Sequence, residues 1–140
     1  MHVLVADDDV VSRRLLESHL RTWQYDVASA DDGLQAWKLF QEREFSLVIC
    51  DWMMPGMDGP QLIRKIRLCS EPGCVYTILL TAKSQREDFV AGLASGADDF
   101  ITKPFDRDEL QVRLRAGERI VQLESRLREA QQQLQMLRGH

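Results

Sequence analysis

No run of apolar residues in this 140-residue sequence is long enough to cross a bilayer. Residues Met1 to Ala6 also lack the basic start and long apolar stretch of a secretory leader. These two absences set the expectation of a cytoplasmic protein without membrane association. Cysteine is scarce, with only Cys50, Cys69 and Cys74. An odd count without a leader argues against a disulfide framework. Cys69 and Cys74 flank the turn-forming Ser70-Glu71-Pro72-Gly73, and no further ligands stand nearby to complete a zinc site. Cys50 closes an apolar run and reads as a small buried hydrophobe. Positive charge is also in deficit: 18 Lys and Arg against 22 Asp and Glu leave a net charge of −4. Such a chain is poorly suited to nucleic acid through bulk charge. What remains, 44% hydrophobic and 29% charged residues, is the composition of a folded domain. The length accommodates one domain with a helical appendage.

Short apolar runs alternate with segments of helical period. Val3-Leu4-Val5-Ala6, Tyr25 to Ser29, Leu47-Val48-Ile49-Cys50, Val75 to Leu80 and Phe100-Ile101 read as strands. Between them, helices are expected on Val11, Leu15, Leu16, Leu20 and Trp23, on Leu34, Trp37 and Phe40, and on Leu62, Ile63 and Ile66. A fourth is marked by Phe89, Val90, Leu93 and Ala94, with Gly96 placed to stop it. The last begins near Asp106 and runs almost to the end. Asp9 or Ser12 is placed to cap the first helix, and Asp31-Asp32-Gly33 the second. Five rounds of strand then helix, with strands apolar throughout, imply a parallel sheet covered on both faces. The fold class is a three-layer α/β domain.

The polar residues gather at the carboxyl ends of these strands. Asp7 and Asp8 follow the first, Asp51 the third, Thr81 the fourth and Lys103 the fifth. In an open α/β sheet those ends share one crevice. Three carboxylates brought together favour a hard divalent cation, and Mg²⁺ suits few carboxylates plus a phosphate. A cation there neutralises an incoming phosphoryl group, leaving Asp51 free to attack phosphorus. Lys103 and the Thr81 hydroxyl are placed to contact the phosphoryl oxygens. Singly, each residue has a plainer role as a cap, a solvated loop acid or a surface charge. Their joint placement on four strand ends carries the functional reading.

Val3-Leu4-Val5-Ala6-Asp7-Asp8-Asp9, Asp51-Trp52-Met53-Met54-Pro55-Gly56-Met57-Asp58-Gly59, Leu80-Thr81-Ala82 and Lys103-Pro104-Phe105 resemble the receiver domain of two-component response regulators. The likeness runs from about Val3 into the last helix. It implies a flavodoxin-like fold with a five-stranded parallel sheet in the order 2-1-3-4-5. It implies Asp51 as phosphoacceptor, with Asp8 binding Mg²⁺ directly, Asp7 through water, and the backbone carbonyl of Met53 as a further ligand. Thr81 becomes the switch hydroxyl, Lys103 the phosphate-binding cation, Phe100 the aromatic switch residue, and Lys103-Pro104 a cis peptide bond. The implied donor is a phosphohistidine on a sensor histidine kinase or a phosphotransfer protein. The implied role is a signalling switch and not a turnover enzyme, in which Thr81 moves inward and Phe100 turns into the vacated space. Met53 and Lys83 occupy positions that tune phosphoryl lifetime, and an apolar Met53 implies a long one.

Two other functional classes share parts of the pattern. Haloacid-dehalogenase-like phosphohydrolases also use an aspartate after a strand, but need a second Asp where Met53 stands. A phosphorylation-independent scaffold would have no use for the acidic pocket. The tail carries a separate signal. Ile120, Leu123, Leu127, Ala130, Leu134 and Leu137 follow the 3-4 spacing of a coiled-coil seam. Residues 1–118 are therefore taken as the domain and 119–140 as a helical extension, a candidate stalk for a homodimer. In the receiver family such a helix resembles a linker to a fused or separate output module, a GGDEF-type cyclase or a phosphatase among them. No recognition helix is present in the tail, so direct nucleic-acid binding by this chain is not expected.

Overall fold

The computed structural model describes residues 1–71, 73–82 and 86–139, without the side chains of residues 86–89. Pro72, Lys83 and the Phe89 side chain, each part of the sequence reading, lie outside the described residues. The elements alternate: β1 (His2–Ala6), α1 (Val10–Thr22), β2 (Asp26–Ala30), α2 (Gly33–Glu42), β3 (Leu47–Asp51), α3 (Gly59–Cys69), β4 (Tyr76–Thr81), α4 (Arg86–Ala94), β5 (Asp99–Thr102) and α5 (Arg107–Arg138). The five strands form one sheet in the order β2-β1-β3-β4-β5, with every neighbouring pair parallel. This is the flavodoxin-like order, with an extended C-terminal helix.

Successive side chains on a strand point to opposite faces, and the central strands bury both. Val3 and Val5 join Leu47, Ile49, Ile78 and Leu80 in a core completed by Leu16 and Leu20 of α1 and Leu110 and Leu114 of α5. Leu4, Ala6, Val48, Cys50 and Leu79 join the opposite core under Ala36 of α2 and Leu62, Ile63 and Ile66 of α3. The continuous apolar runs of the sequence thus follow from two-sided burial.

Helix starts follow the capping chemistry. Asp9 accepts from the Val11 amide, and Asp32 from that of Gln35. Asp58 and Gln61 form a reciprocal capping box at α3, and Asp106 opens α5. The Lys103-Pro104 bond is cis.

Some expected helix faces are only half right. Leu16 and Leu20 of α1 are fully buried, but Val11 and Leu15 are 76% and 47% exposed. Leu15 precedes Leu16 by about 100° of helical turn, which carries it off the sheet. Leu34 of α2 is exposed, and Ala36 takes the buried place. On α4, Val90 and Leu93 face outward and Gly92 faces inward, as does Ser95 just after the helix.

α5 is one continuous helix across residues 118 and 119. Its buried positions are Leu110, Leu114, Gly117 and Val121. Beyond these, Arg128 pairs with Glu71 at 3.8 Å. A side chain on Gly73 would run into the stem of Glu124. The domain therefore holds α5 beyond Glu118. Among the described residues, no helix is long and apolar enough to cross a membrane.

Candidate functional site

The site forms where β1, β3, β4 and β5 end. Asp7 follows β1 and is fully buried. Its backbone amide donates to Ala30 O. Its Oδ1 accepts from the Asp9 amide at 3.0 Å, and its carbonyl accepts from Arg13 Nη1 at 2.8 Å. These bonds fix a carboxylate that could not otherwise remain buried. Asp8, next in sequence, is exposed. Asp51 ends β3 and is partly buried.

Lys103 follows β5, and its amide donates to Thr81 O at 2.8 Å. Its Nζ donates to Asp7 Oδ2 at 2.9 Å and to Asp51 Oδ2 at 3.1 Å. One ammonium thus bridges two carboxylates that lie 44 residues apart in sequence. Burial raises the Asp51 carboxyl above the usual range against the pull of Lys103, with Asp7 adding to the rise. Burial pulls the Lys103 ammonium down, but Asp7 and Asp51 outweigh it and its pKa is raised. Each charge thus offsets part of the cost of burying the other.

One carboxylate oxygen from each of Asp7, Asp8 and Asp51 lies within 4.8 Å of the others. This donor set is all oxygen, as a hard divalent ion requires. Lys103 engages one oxygen of Asp7 and one of Asp51, and each carboxylate has further lone pairs. The residues present fit a Mg²⁺ ion.

Thr81 closes β4 and is 2% exposed. It stands one residue beyond Leu80, the register partner of Asp51. Met53 lies in the loop after β3, two residues from Asp51, and is 61% exposed. Phe100 is buried, and so is Trp52. Their rings meet at Gly92, where a Cβ would overlap Cε1 and Cζ of Phe100 and come within 2.9 Å of Trp52 Cζ3. The aromatic residue expected to turn into vacated space is already inside. The sequence reading missed this wedge. The glycine inside the α4 segment was its only trace.

A groove of about 340 Å³ adjoins the site, lined by Asp9, Val11, Ser12, Leu15, Lys103, Pro104 and Phe105. The outward-facing Val11 and Leu15 of α1, which the helical period groups with the buried Leu16 and Leu20, border it.

Known proteins match this chain along most of its length. The chain is 43% identical over 114 residues to a probable transcriptional regulator, ycf27, of Porphyridium aerugineum, covering 81% of the chain and 46% of that protein. The receiver domain of Francisella response regulator 1452 superposes with a TM-score of 0.77 at 32% identity, over 88% of this chain and 98% of that one. A probable two-component response regulator/GGDEF domain protein superposes at 0.82 with 28% identity, over 87% of this chain and 50% of that one. The chain spans about half the length of the curated relatives it matches. The family model for the response regulator receiver domain matches residues 3–115. With the two-sided parallel sheet and the acid-lysine cluster at its carboxyl edge, the chain belongs to the response regulator receiver domain family.

Proposed function

We propose that this chain is a phosphorylation-controlled signalling switch, in which Asp51 accepts a phosphoryl group from a phosphohistidine of a sensor histidine kinase or phosphotransfer protein. Phosphoryl acceptance is the function of the family, and sensor kinases are the family's partners. The observation that carries the residue-level reading is the Lys103 bridge between Asp7 and Asp51 beside Asp8.

The Asp51 oxygen attacks phosphorus as the phosphorus–nitrogen bond to the donor imidazole breaks, giving an acyl phosphate and a free imidazole. Such transfers depend on positioning and charge neutralisation. Asp8, Asp51 and the Met53 carbonyl, with Asp7 acting through water, would hold Mg²⁺, whose charge would offset that of the phosphoryl group. Lys103 supplies a fixed positive charge beside the acceptor. Thr81, buried at the next strand end, supplies a directional hydroxyl donor. The groove beside Lys103, bordered by exposed Val11 and Leu15, offers the donor protein an apolar docking surface next to Asp51.

A bond from Thr81 to the phosphoryl group fixes the end of β4, and with it the inward position of Phe100 under α4. The exposed faces of α4 and α5 then report the phosphorylation state, and α5 carries it toward an output module or partner. The ycf27 relative is named a transcriptional regulator and the structural neighbour contains a GGDEF domain, and each is about twice the matched length. Either kind of module suits the position after α5. The chain catalyses its own phosphorylation and slow dephosphorylation, without multiple turnover on phosphate esters.

The test treats the protein with a small acyl phosphate and Mg²⁺ and reads intact mass. The wild type gains one phosphoryl group, and Asp51→Asn gains none. No gain in the wild type, equal gain in the mutant, or equal gain with Mg²⁺ chelated overturns the reading.

A further inference from the structure

α5 carries two stripes that face in different directions. The first, Leu110, Leu114, Gly117 and Val121, continued by Glu124 and Arg128, lies against the chain's own domain. The second, Ile120, Leu123, Leu127, Leu134 and Leu137, is exposed at 44%, 54%, 53%, 53% and 77%. With Ala130 it keeps the 3-4 spacing for the whole run. On a helical wheel at 100° per residue, the seam lies roughly 120° from the face held by the domain. The domain therefore flanks the seam without covering it.

The helix also outruns its support. Residues 129–139 are exposed throughout. A single helical segment of about ten residues is marginal in water unless an apolar face is buried. The segment has such a face.

We infer that a second copy of this chain covers the seam, parallel and in register, so that α5 of each copy forms a two-stranded coiled coil. A repeat of 3.5 residues is covered by a helix with the same repeat. This sequence supplies one in every copy, and two-fold symmetry matches the stripe to itself. Charge selects the direction. In the parallel pair, Arg119 at a g position meets the carboxylate of Glu124 at the e position of the other copy, where the Glu124 stem rests against its own Gly73 at the border of the seam, and no like charges are paired. Turned antiparallel, with Ile120 opposite Leu137, the same positions pair Arg126 with Gln133 and Glu124 with Gln131, and no opposite charges meet. The seam is short and has Ala130 at its centre, so association is concentration-dependent. The inference is independent of phosphorylation at Asp51.

Sedimentation of the full chain on the order of 100 µM reads the state directly. The expected mass is about twice 16.1 kDa. Leu127→Glu, a change at an exposed position, should keep the fold by circular dichroism and weaken self-association by roughly tenfold or more. Direction is read separately, with Leu134→Cys in a Cys69→Ser, Cys74→Ser background and oxidised glutathione as oxidant. A parallel seam places residue 134 against its own copy, and a linked dimer forms. A monomeric wild type overturns the inference, and so does a Leu127→Glu dimer of unchanged strength. A dimer that forms no link through residue 134 overturns the parallel register.

Discussion

Lys103 Nζ lies 3.1 Å from Asp51 Oδ2 while also holding the fully buried Asp7 at 2.9 Å. The ammonium therefore occupies the role that a metal ion would share, balancing carboxylates that cannot all be charged alone. Removing it leaves two unpaired acids in a partly buried cleft. Lys103→Met should cost about 3 kcal/mol in the absence of Mg²⁺, as breaking a buried pair does. Loss of the competing positive charge should also tighten Mg²⁺ binding. Urea denaturation with and without Mg²⁺ measures both. A variant as stable as the wild type in chelator, or one that responds less to Mg²⁺, contradicts this account.

The second prediction concerns Gly92. A methyl group there overlaps the Phe100 ring and approaches Trp52. Gly92→Ala should therefore destabilise by about 1–3 kcal/mol, the usual cost of overpacking, even though alanine favours helix. Shortening the ring should relieve the overlap. Phe100→Leu combined with Gly92→Ala should then cost less than the sum of the two single changes. A strictly additive double-mutant cycle by chemical denaturation would show that the two positions do not touch.

The sequence made the strand set legible because Val3 to Ala6 and Leu47 to Cys50 are apolar at every position, which only two-sided burial permits. It placed Asp7, Asp51, Thr81 and Lys103 on strand ends for the same reason. It could not show that Lys103 would bridge two acids, since that depends on where β5 sits beside β4. The face of α1 was misjudged because apolar residues there serve an exterior surface. Val11 and Leu15 are in phase with a helical repeat, but periodicity alone does not say which apolar side meets the sheet. Gly92 carried no apolar signal, so the wedge of Trp52 and Phe100 was invisible.

A third prediction follows from that exterior surface. Val11 and Leu15 are exposed beside the Lys103 groove, and the proposed transfer to Asp51 assigns neither a chemical role. Val11→Glu and Leu15→Glu should leave phosphorylation by a small acyl phosphate within about twofold of the wild type. Transfer from a phosphorylated histidine domain should fall by roughly tenfold or more, as for a hot spot at an apolar interface. The comparison needs both donors on each variant. Equal losses with both would place these residues in the chemistry, and no loss with either would remove the groove from docking.

The last prediction concerns pH. The chain has two tyrosines, Tyr25 and Tyr76. Burial raises both, aided by Glu118 for Tyr25 and by Asp99 and Asp98 for Tyr76, each to about 12. Tyr25 Oη donates to Glu118 at 3.0 Å, tying the residue before β2 to α5. Tyr76 Oη donates to Asp99, which also receives Arg113 from α5. A pKa raised in the folded state means that the folded chain holds its proton more firmly. The stabilisation is complete below the unfolded value near 10 and is lost as pH rises through about 12. Phenolate absorbance should therefore show little titration at pH 10 while the fold persists, and stability should fall steadily from there upward. Tyr25→Phe should flatten part of that fall. Its loss of the Glu118 bond should cost about 1 kcal/mol at neutral pH. A phenolate midpoint at 10 in the folded protein would mean that neither hydroxyl is buried beside its carboxylate.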